Sequence, residues 1–287
     1  INAPLFYFKK YAITVHDLIK HYSRGPETTT HLAGFYWLKY AGYLMASWWL
    51  TRLAKKIICP SEYVKKEIEQ TYPFAKGKTA VTYEAASKTF LKPKKDFSLP
   101  AAKLLKEKNL EKPFAIYVGN AYPHKNLERL VEAVKLINQK GFSLQLAIVC
   151  GRGAFYERLG NLIEKKEMAA KVKMLGFVGD EDLLMLYHEA AVYTFPSLME
   201  GFGIPPLDAM ACGLPVVSSN ASCLPEIYGE AAYYFNPESV GEMTEAITRV
   251  LTDESLRKQL IKNGYERIKL YSWRKMAKET LSVYKKA

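Results

Sequence analysis

The 287-residue sequence predicts an α/β protein built from parallel sheets in two domains. Three observations lead there. Short apolar runs ending at glycine or a small polar residue recur from Phe114 onward. Segments with helical apolar spacing separate them, as in Leu127, Leu130, Val131, Val134 and Ile137. The length suits two domains of ordinary size. Alternation of this kind implies a parallel sheet covered on both faces.

In chain order, Ala12 to Val15 predicts a strand ending at His16-Asp17. Residues 35–54 predict a helix rich in aromatics, Ile57 to Cys59 a strand, and Ser61 the cap of a following helix. Thr79 to Tyr83 predicts another strand, and the Lys- and Pro-rich Lys92 to Pro100 a linker. The second half gives strands at Phe114–Gly119, Leu144–Val149, Val172–Leu175, Val192–Phe195, Pro215–Ser218 and Tyr233–Phe235. Gly141 stops the first of the intervening helices. The expected domains are residues 1–98, 99–270 and a closing helix over 271–287.

Composition narrows the class. No apolar run approaches the ~18 residues of a membrane span, and no basic-then-apolar leader opens the chain. The chain begins without Met, which hints at a non-native start. Cys59, Cys150, Cys212 and Cys223 are scattered without metal spacing and fit buried, reduced thiols of a cytoplasmic protein. The net charge of +12 is uneven: residues 1–110 hold 19 Lys/Arg against 8 Asp/Glu, and the remainder 22 against 21. A basic half suggests an anionic membrane surface or a phospholipid-linked acceptor, or else a solvated face. No nucleic-acid-binding pattern accompanies the charge.

The most informative stretch is Phe195 to Val217, FPSLMEGFGIPPLDAMACGLPVV. Seven residues separate Glu200 from Asp208, and Gly201-Phe202-Gly203 lies between them. A glycine turn between a strand and a helix aims backbone N–H groups and the positive end of a helix dipole at one point, which suits a phosphate. The flanking acids can accept hydrogen bonds from sugar hydroxyls. Phosphate plus hydroxyls suggests a nucleotide sugar.

This segment resembles the E-x7-E motif of family 4 retaining glycosyltransferases, which have the GT-B fold. The likeness includes YVGNAYPHKNLERL (Tyr117 to Leu130), GFVGDEDLLMLYHEAAVYTFPS (Gly176 to Ser197) and SNASCLPEIYGEAAYYFNP (Ser219 to Pro237), in family order. A weaker likeness runs through AITVHDL and IICPSEYVKKEI. The resemblance implies two Rossmann-like domains, the first incomplete, because several strands normally precede the position of His16.

It also implies roles. Lys125 would meet the donor diphosphate, where a fixed ammonium stabilises the leaving group's charge. Asn120, directly after Gly119, stands where many members have Arg, so one cation is missing or replaced. Glu200 would contact the donor sugar near the reacting carbon. Asp208 replaces the usual Glu that holds the ribose. Gly201, Phe202 and Gly203 would offer backbone amides to phosphate and sugar, and Val178 joins the donor-contacting set. His16 would face the donor sugar from the first domain. The family implies catalysis without a metal or resident cofactor. Asp180-Glu181-Asp182 has D-x-D spacing but directly precedes Leu183-Leu184-Met185-Leu186-Tyr187, so Asp180 is read as an N-cap with acids in a helix's first turn and not as a metal ligand.

The helix around Tyr36, Trp37, Tyr40, Tyr43, Leu44, Trp48 and Trp49 is flanked by Lys39, Arg52, Lys55 and Lys56. Burial within its own domain is the expectation; contact with a membrane interface is the alternative. The reading for the whole chain is retaining sugar transfer from a nucleotide-diphosphate sugar, with a lean towards GDP-mannose, to a saccharide or lipid-linked acceptor. It would act in the cytoplasm or at the inner membrane face. A non-catalytic nucleotide-sugar-binding remnant, a basic membrane-binding module and a GT-B epimerase stay open.

Overall fold

The computed structural model describes residues 9–22, Gly25, 33–91 and 98–287. The opening residues and most of the expected linker, 92–97, lie outside the described residues. The chain divides into two compact units. One holds the residues up to Ala85 together with Met199–Phe202 and Tyr271–Ala287; the other holds Ala86–Leu198 and Gly203–Leu270.

The first unit contains β1 (Ala12–Thr14), α1 (Ile19–Tyr22), α2 (Ala33–Leu53), β2 (Lys56–Cys59), α3 (Glu62–Thr71) and β3 (Thr79–Val81). The strands form a parallel sheet in the order β1-β2-β3 among the described residues. Ile13, Val15, Leu18, Ile57, Cys59, Val64 and Ile68 form its core. Their apolar faces meet because α3 is amphipathic and Ser61 caps it, accepting the Val64 N–H at 3.2 Å.

The second unit begins with α4 (Ser98–Glu107), so the tail of the expected linker is helical. It continues with β4 (Phe114–Val118), α5 (Leu127–Gln139), β5 (Gln145–Val149), α6 (Ala154–Lys165), β6 (Val172–Gly176) and α7 (Asp180–Glu189). Then come β7 (Val192–Phe195), α8 (Ile204–Ala211), β8 (Val216–Ser219), α9 (Leu224–Tyr228), β9 (Ala232–Phe235), α10 (Val240–Thr252) and α11 (Glu254–Ile268). All six strands are parallel, in the order β6-β5-β4-β7-β8-β9. The central strands β4, β5 and β7 are almost wholly buried, as a sheet covered on both faces requires. The five periodic residues of α5 are all buried against it.

The last helix, α12 (Trp273–Lys285), is capped by Ser272 and belongs to the first unit. Thr280 Oγ1 approaches Thr82 Oγ1 at 3.5 Å.

Two local expectations are corrected. The cap of α7 is Gly179, and Asp180, Glu181 and Asp182 fill the first turn instead. The aromatic helix is not buried throughout. Tyr36, Tyr40, Tyr43 and Leu44 are partly buried, whereas Trp37, Trp48 and Trp49 are 52%, 48% and 39% exposed. Among the described residues, no helix is long and apolar enough to cross a membrane.

Candidate donor-binding site

The second unit's sheet reverses its direction of growth between β4 and β7. From β4 the chain moves outward through β5 and β6; from β7 it moves the other way through β8 and β9. Ligands of open α/β sheets bind beyond the carboxyl ends of the strands at such a reversal. The loops that leave β4 and β7 carry the predicted diphosphate residues and the start of the acidic motif.

After β4, Gly119 continues the ladder by donating to Val149 O at 3.0 Å. A Cβ there would meet the Tyr117 hydroxyl at 2.6 Å, so only glycine fits. That hydroxyl donates to Asn120 O at 2.8 Å. The Asn120 side-chain oxygen accepts the Tyr122 N–H at 3.3 Å, so Asn120 holds the turn. A 3-10 turn, Pro123–Lys125, then delivers Lys125. Its ammonium sits 5.7 Å from the Phe195 ring centroid at the end of β7, within cation–π range.

Asn126 makes this turn possible, and its role was not read from the sequence. It is buried and left-handed, with φ 60° and ψ 31°. Its Nδ2 donates to Pro196 O at 3.0 Å and Pro237 O at 2.8 Å, beyond the ends of β7 and β9. Its Oδ1 accepts from Arg129 at 2.9 Å. Leu198 N donates to His124 O at 2.8 Å, a second tie between the two loops. Burial, helped by the Lys125 charge, holds the His124 imidazole down at a pKa of about 4. It therefore adds no positive charge beside Lys125 at neutral pH.

Gly203 caps α8 with φ 91°, and its carbonyl accepts the Tyr228 hydroxyl at 2.7 Å. A Cβ on Gly203 would collide with that hydroxyl. Asp208 lies in α8, buried, with Oδ1 accepting the Ser87 N–H at 2.7 Å. Burial pushes its carboxyl up to about 7, the Ser87 bond opposing and Asp180 adding to the rise. Val178 follows the exposed Phe177 with its own side chain buried, so a ligand would meet its backbone.

The other predicted residues belong to the first unit. His16 follows β1, and its Nδ1 lies 3.1 Å from Glu84 Oε1. Gly201 packs so closely on His16 O that any Cβ would strike it. Gly201 O accepts the Ser61 hydroxyl at 2.8 Å. Glu200 is buried. Phe202 is also buried, with its ring centroid 6.3 Å from that of Tyr83 and 5.7 Å from that of Tyr271. Its side chain is thus a packing element, and a ligand would meet its backbone. His16, Gly201 and Phe202 are gathered within one unit; Gly119, Asn120, Lys125, Gly203 and Asp208 within the other.

Comparison with known proteins then decides the family. The model of "Glycosyl transferases group 1" matches residues 102–267. The chain belongs to this family. O-antigen chain mannosyltransferase B of Escherichia coli is 32% identical over 233 residues, covering 81% of this chain and 61% of that protein. O-antigen chain mannosyltransferase RfbU of Salmonella typhimurium is 31% identical over 238 residues, covering 83% and 60%. The chain thus spans about three fifths of the length of these two relatives.

Among solved structures, sucrose-phosphate synthase from Thermosynechococcus elongatus superposes with a TM-score of 0.78 at 25% identity, over 96% of this chain and 67% of that one. HepE of Anabaena, in complex with UDP and glucose, superposes at 0.76 and 18% identity, over 97% and 72%. The architecture of this member of the family is therefore GT-B, with Rossmann-like parallel sheets.

Proposed function

We propose that this chain transfers mannose from GDP-mannose to a hydroxyl of a saccharide or lipid-linked acceptor, with retention at the anomeric carbon and without a metal or cofactor. The mannosyltransferase relatives support the sugar. The observation that carries the reading is Lys125, delivered by a braced turn to the sheet reversal point. Its ammonium would meet the charge that develops on the leaving diphosphate. The sugar–phosphate bond breaks as the acceptor oxygen bonds the same face of the anomeric carbon. The acceptor proton passes to the leaving phosphate oxygen. Asp208 would accept the ribose hydroxyls as its anion, Glu200 and His16 would position the sugar, and Gly119, Val178 and residues 201–203 would offer backbone groups.

The test is thermal stabilisation by GDP, UDP, dTDP and ADP, repeated on Lys125→Ala. A ligand at 100 times its Kd adds about 2.7 kcal/mol. The expected result is stabilisation by GDP that the variant loses, followed by transfer from GDP-mannose giving an α-linked product by NMR. Stabilisation by another nucleotide alone moves the donor to that base. Indifference of the wild-type chain to all four overturns the reading.

One surface favours a second property, contact with an anionic membrane. Trp37, Leu38, Ala41, Gly42, Met45, Trp48, Trp49 and Arg52 are exposed and fall on a single face of α2. Near its end, Lys78 donates to Arg52 O at 2.8 Å, and the Arg52 and Lys55 charges reinforce burial in lowering the Lys78 pKa. Among the described residues none of these three cations has a carboxylate partner within ion-pair distance. Tryptophans beside unneutralised cations suit the headgroup region of anionic lipid. Co-sedimentation with phosphatidylglycerol vesicles, but not with phosphatidylcholine, is expected, weakening with salt. Equal binding to both, or none, excludes it.

A further inference from the structure

We infer that Glu84 is the positioning residue of His16: its carboxylate takes the Nδ1–H of the imidazole and leaves Nε2 to meet a hydroxyl of the donor sugar. This deepens the function proposed above and rests on its placement of His16 at the sugar.

The sheet topology creates the pair. β1 and β3 flank β2 in parallel, so the residues just past their carboxyl ends, His16 and Glu84, emerge on the same edge of the sheet. The two side chains meet at 3.1 Å with opposite surroundings: Glu84 is only 13% exposed, and His16 is 66% exposed. A largely buried carboxylate under an exposed imidazole is the arrangement of a fixed base plate and a presented ring. Which nitrogen of a histidine carries the proton is set by the bond the other makes. With Nδ1 committed inward, the neutral ring offers the Nε2 lone pair outward.

The backbone of His16 is held as firmly. Gly201 lies against its carbonyl with no room for a Cβ, and the Ser61 hydroxyl fixes Gly201 in turn. Side-chain rotation is the freedom these contacts leave, and Glu84 removes it. The hydrogen bond to Glu84 also raises the His16 pKa, against the effect of burial, and the charges of Glu84 and Asp17 act in the same direction. Asp17 itself faces the chain, accepting the Ile19 N–H at 3.0 Å.

A pair present only for stability would leave the turnover of a folded variant unchanged. A positioning role predicts effects on tautomer and turnover instead. The experiment is 15N NMR of histidine-labelled protein, with His16→Gln identifying the resonance among five histidines. In the wild type above the His16 pKa, the neutral ring is expected to carry its proton on Nδ1. Glu84→Ala should lose that preference. Glu84→Gln, whose amide oxygen can still accept, should keep it while lowering the pKa.

Transfer assays over pH are the second arm. Glu84→Ala should lower kcat/KM at least tenfold, and Glu84→Gln should recover most of it with the acid limb moved to lower pH. A tautomer insensitive to Glu84→Ala overturns the assignment, and so does a changed tautomer with unchanged kcat/KM. If the wild-type chain transfers no sugar, the functional reading falls, while the NMR arm still decides whether Glu84 orients His16.

Discussion

The carboxylate of Asp208 accepts the backbone N–H of Ser87 across 121 residues of sequence, at 2.7 Å. One hydrogen bond does not offset the burial of the charge, and the carboxyl titrates near 7 rather than near its ordinary 3.8. Between those values the folded state binds a proton that the unfolded state has lost. The stability from the neutral carboxyl is therefore complete below about 3.8 and is lost as pH rises through about 7.

Urea unfolding at pH 5 and pH 8 checks this. The wild type should lose on the order of 3 kcal/mol at most between the two, because each step of one in pH up to about 7 removes about 1.36 kcal/mol. Asp208→Asn should show a smaller loss. Nucleotide affinity should run the other way, rising with pH through 7 in the wild type and staying flat in the variant, because the ribose needs the anion.

Asn126 combines a left-handed backbone with three side-chain hydrogen bonds. Asn126→Ala should cost about 2–4 kcal/mol by leaving two buried carbonyls short of a donor and by straining the backbone. Asn126→Gly relieves the strain but not the lost bonds. If the bonds dominate, both variants unfold at nearly the same urea concentration. Full recovery by glycine would assign the residue to backbone conformation alone.

Gly201→Ala forces a methyl into the carbonyl of His16. Overpacking of this kind costs roughly 1–3 kcal/mol, and here it must displace either the loop or β1's end. Thermal unfolding should show the loss. Gly201 has no left-handed φ, so the effect is purely one of space. A neutral Gly201→Ala would mean that the contact opens in solution.

Much of this architecture is legible in the sequence, and the reasons are local. Val192–Phe195 is a strand from its apolar run, and α5 is a helix from its 3.6-residue period. The acidic motif stands out because glycines sit where strand gives way to helix, and Lys125 because the segment around it resembles the family's. What stays hidden depends on contacts between distant residues. Asn126 looks like an ordinary turn residue until Pro196 and Pro237 appear beside it. Glu84 looks like a solvent-facing charge until β3 is laid parallel to β2 and β1. Trp37, Trp48 and Trp49 look like core by composition, yet their shared helical face stays open to solvent.

The acidic motif is divided between the units: Met199–Phe202 fold with the first and Gly203 onward with the second. The first unit is thus assembled from three separate stretches of chain, the last of them α12. A polypeptide cut after Ala85 would lack the carbonyl that Ser61 donates to and the Phe202 and Tyr271 rings that flank Tyr83. During synthesis, the stretch up to Ala85 emerges well before residues 199–202 and 271–287, which belong to the same unit. Until residues 271–287 leave the ribosome, the Tyr83 ring lacks its Tyr271 neighbour.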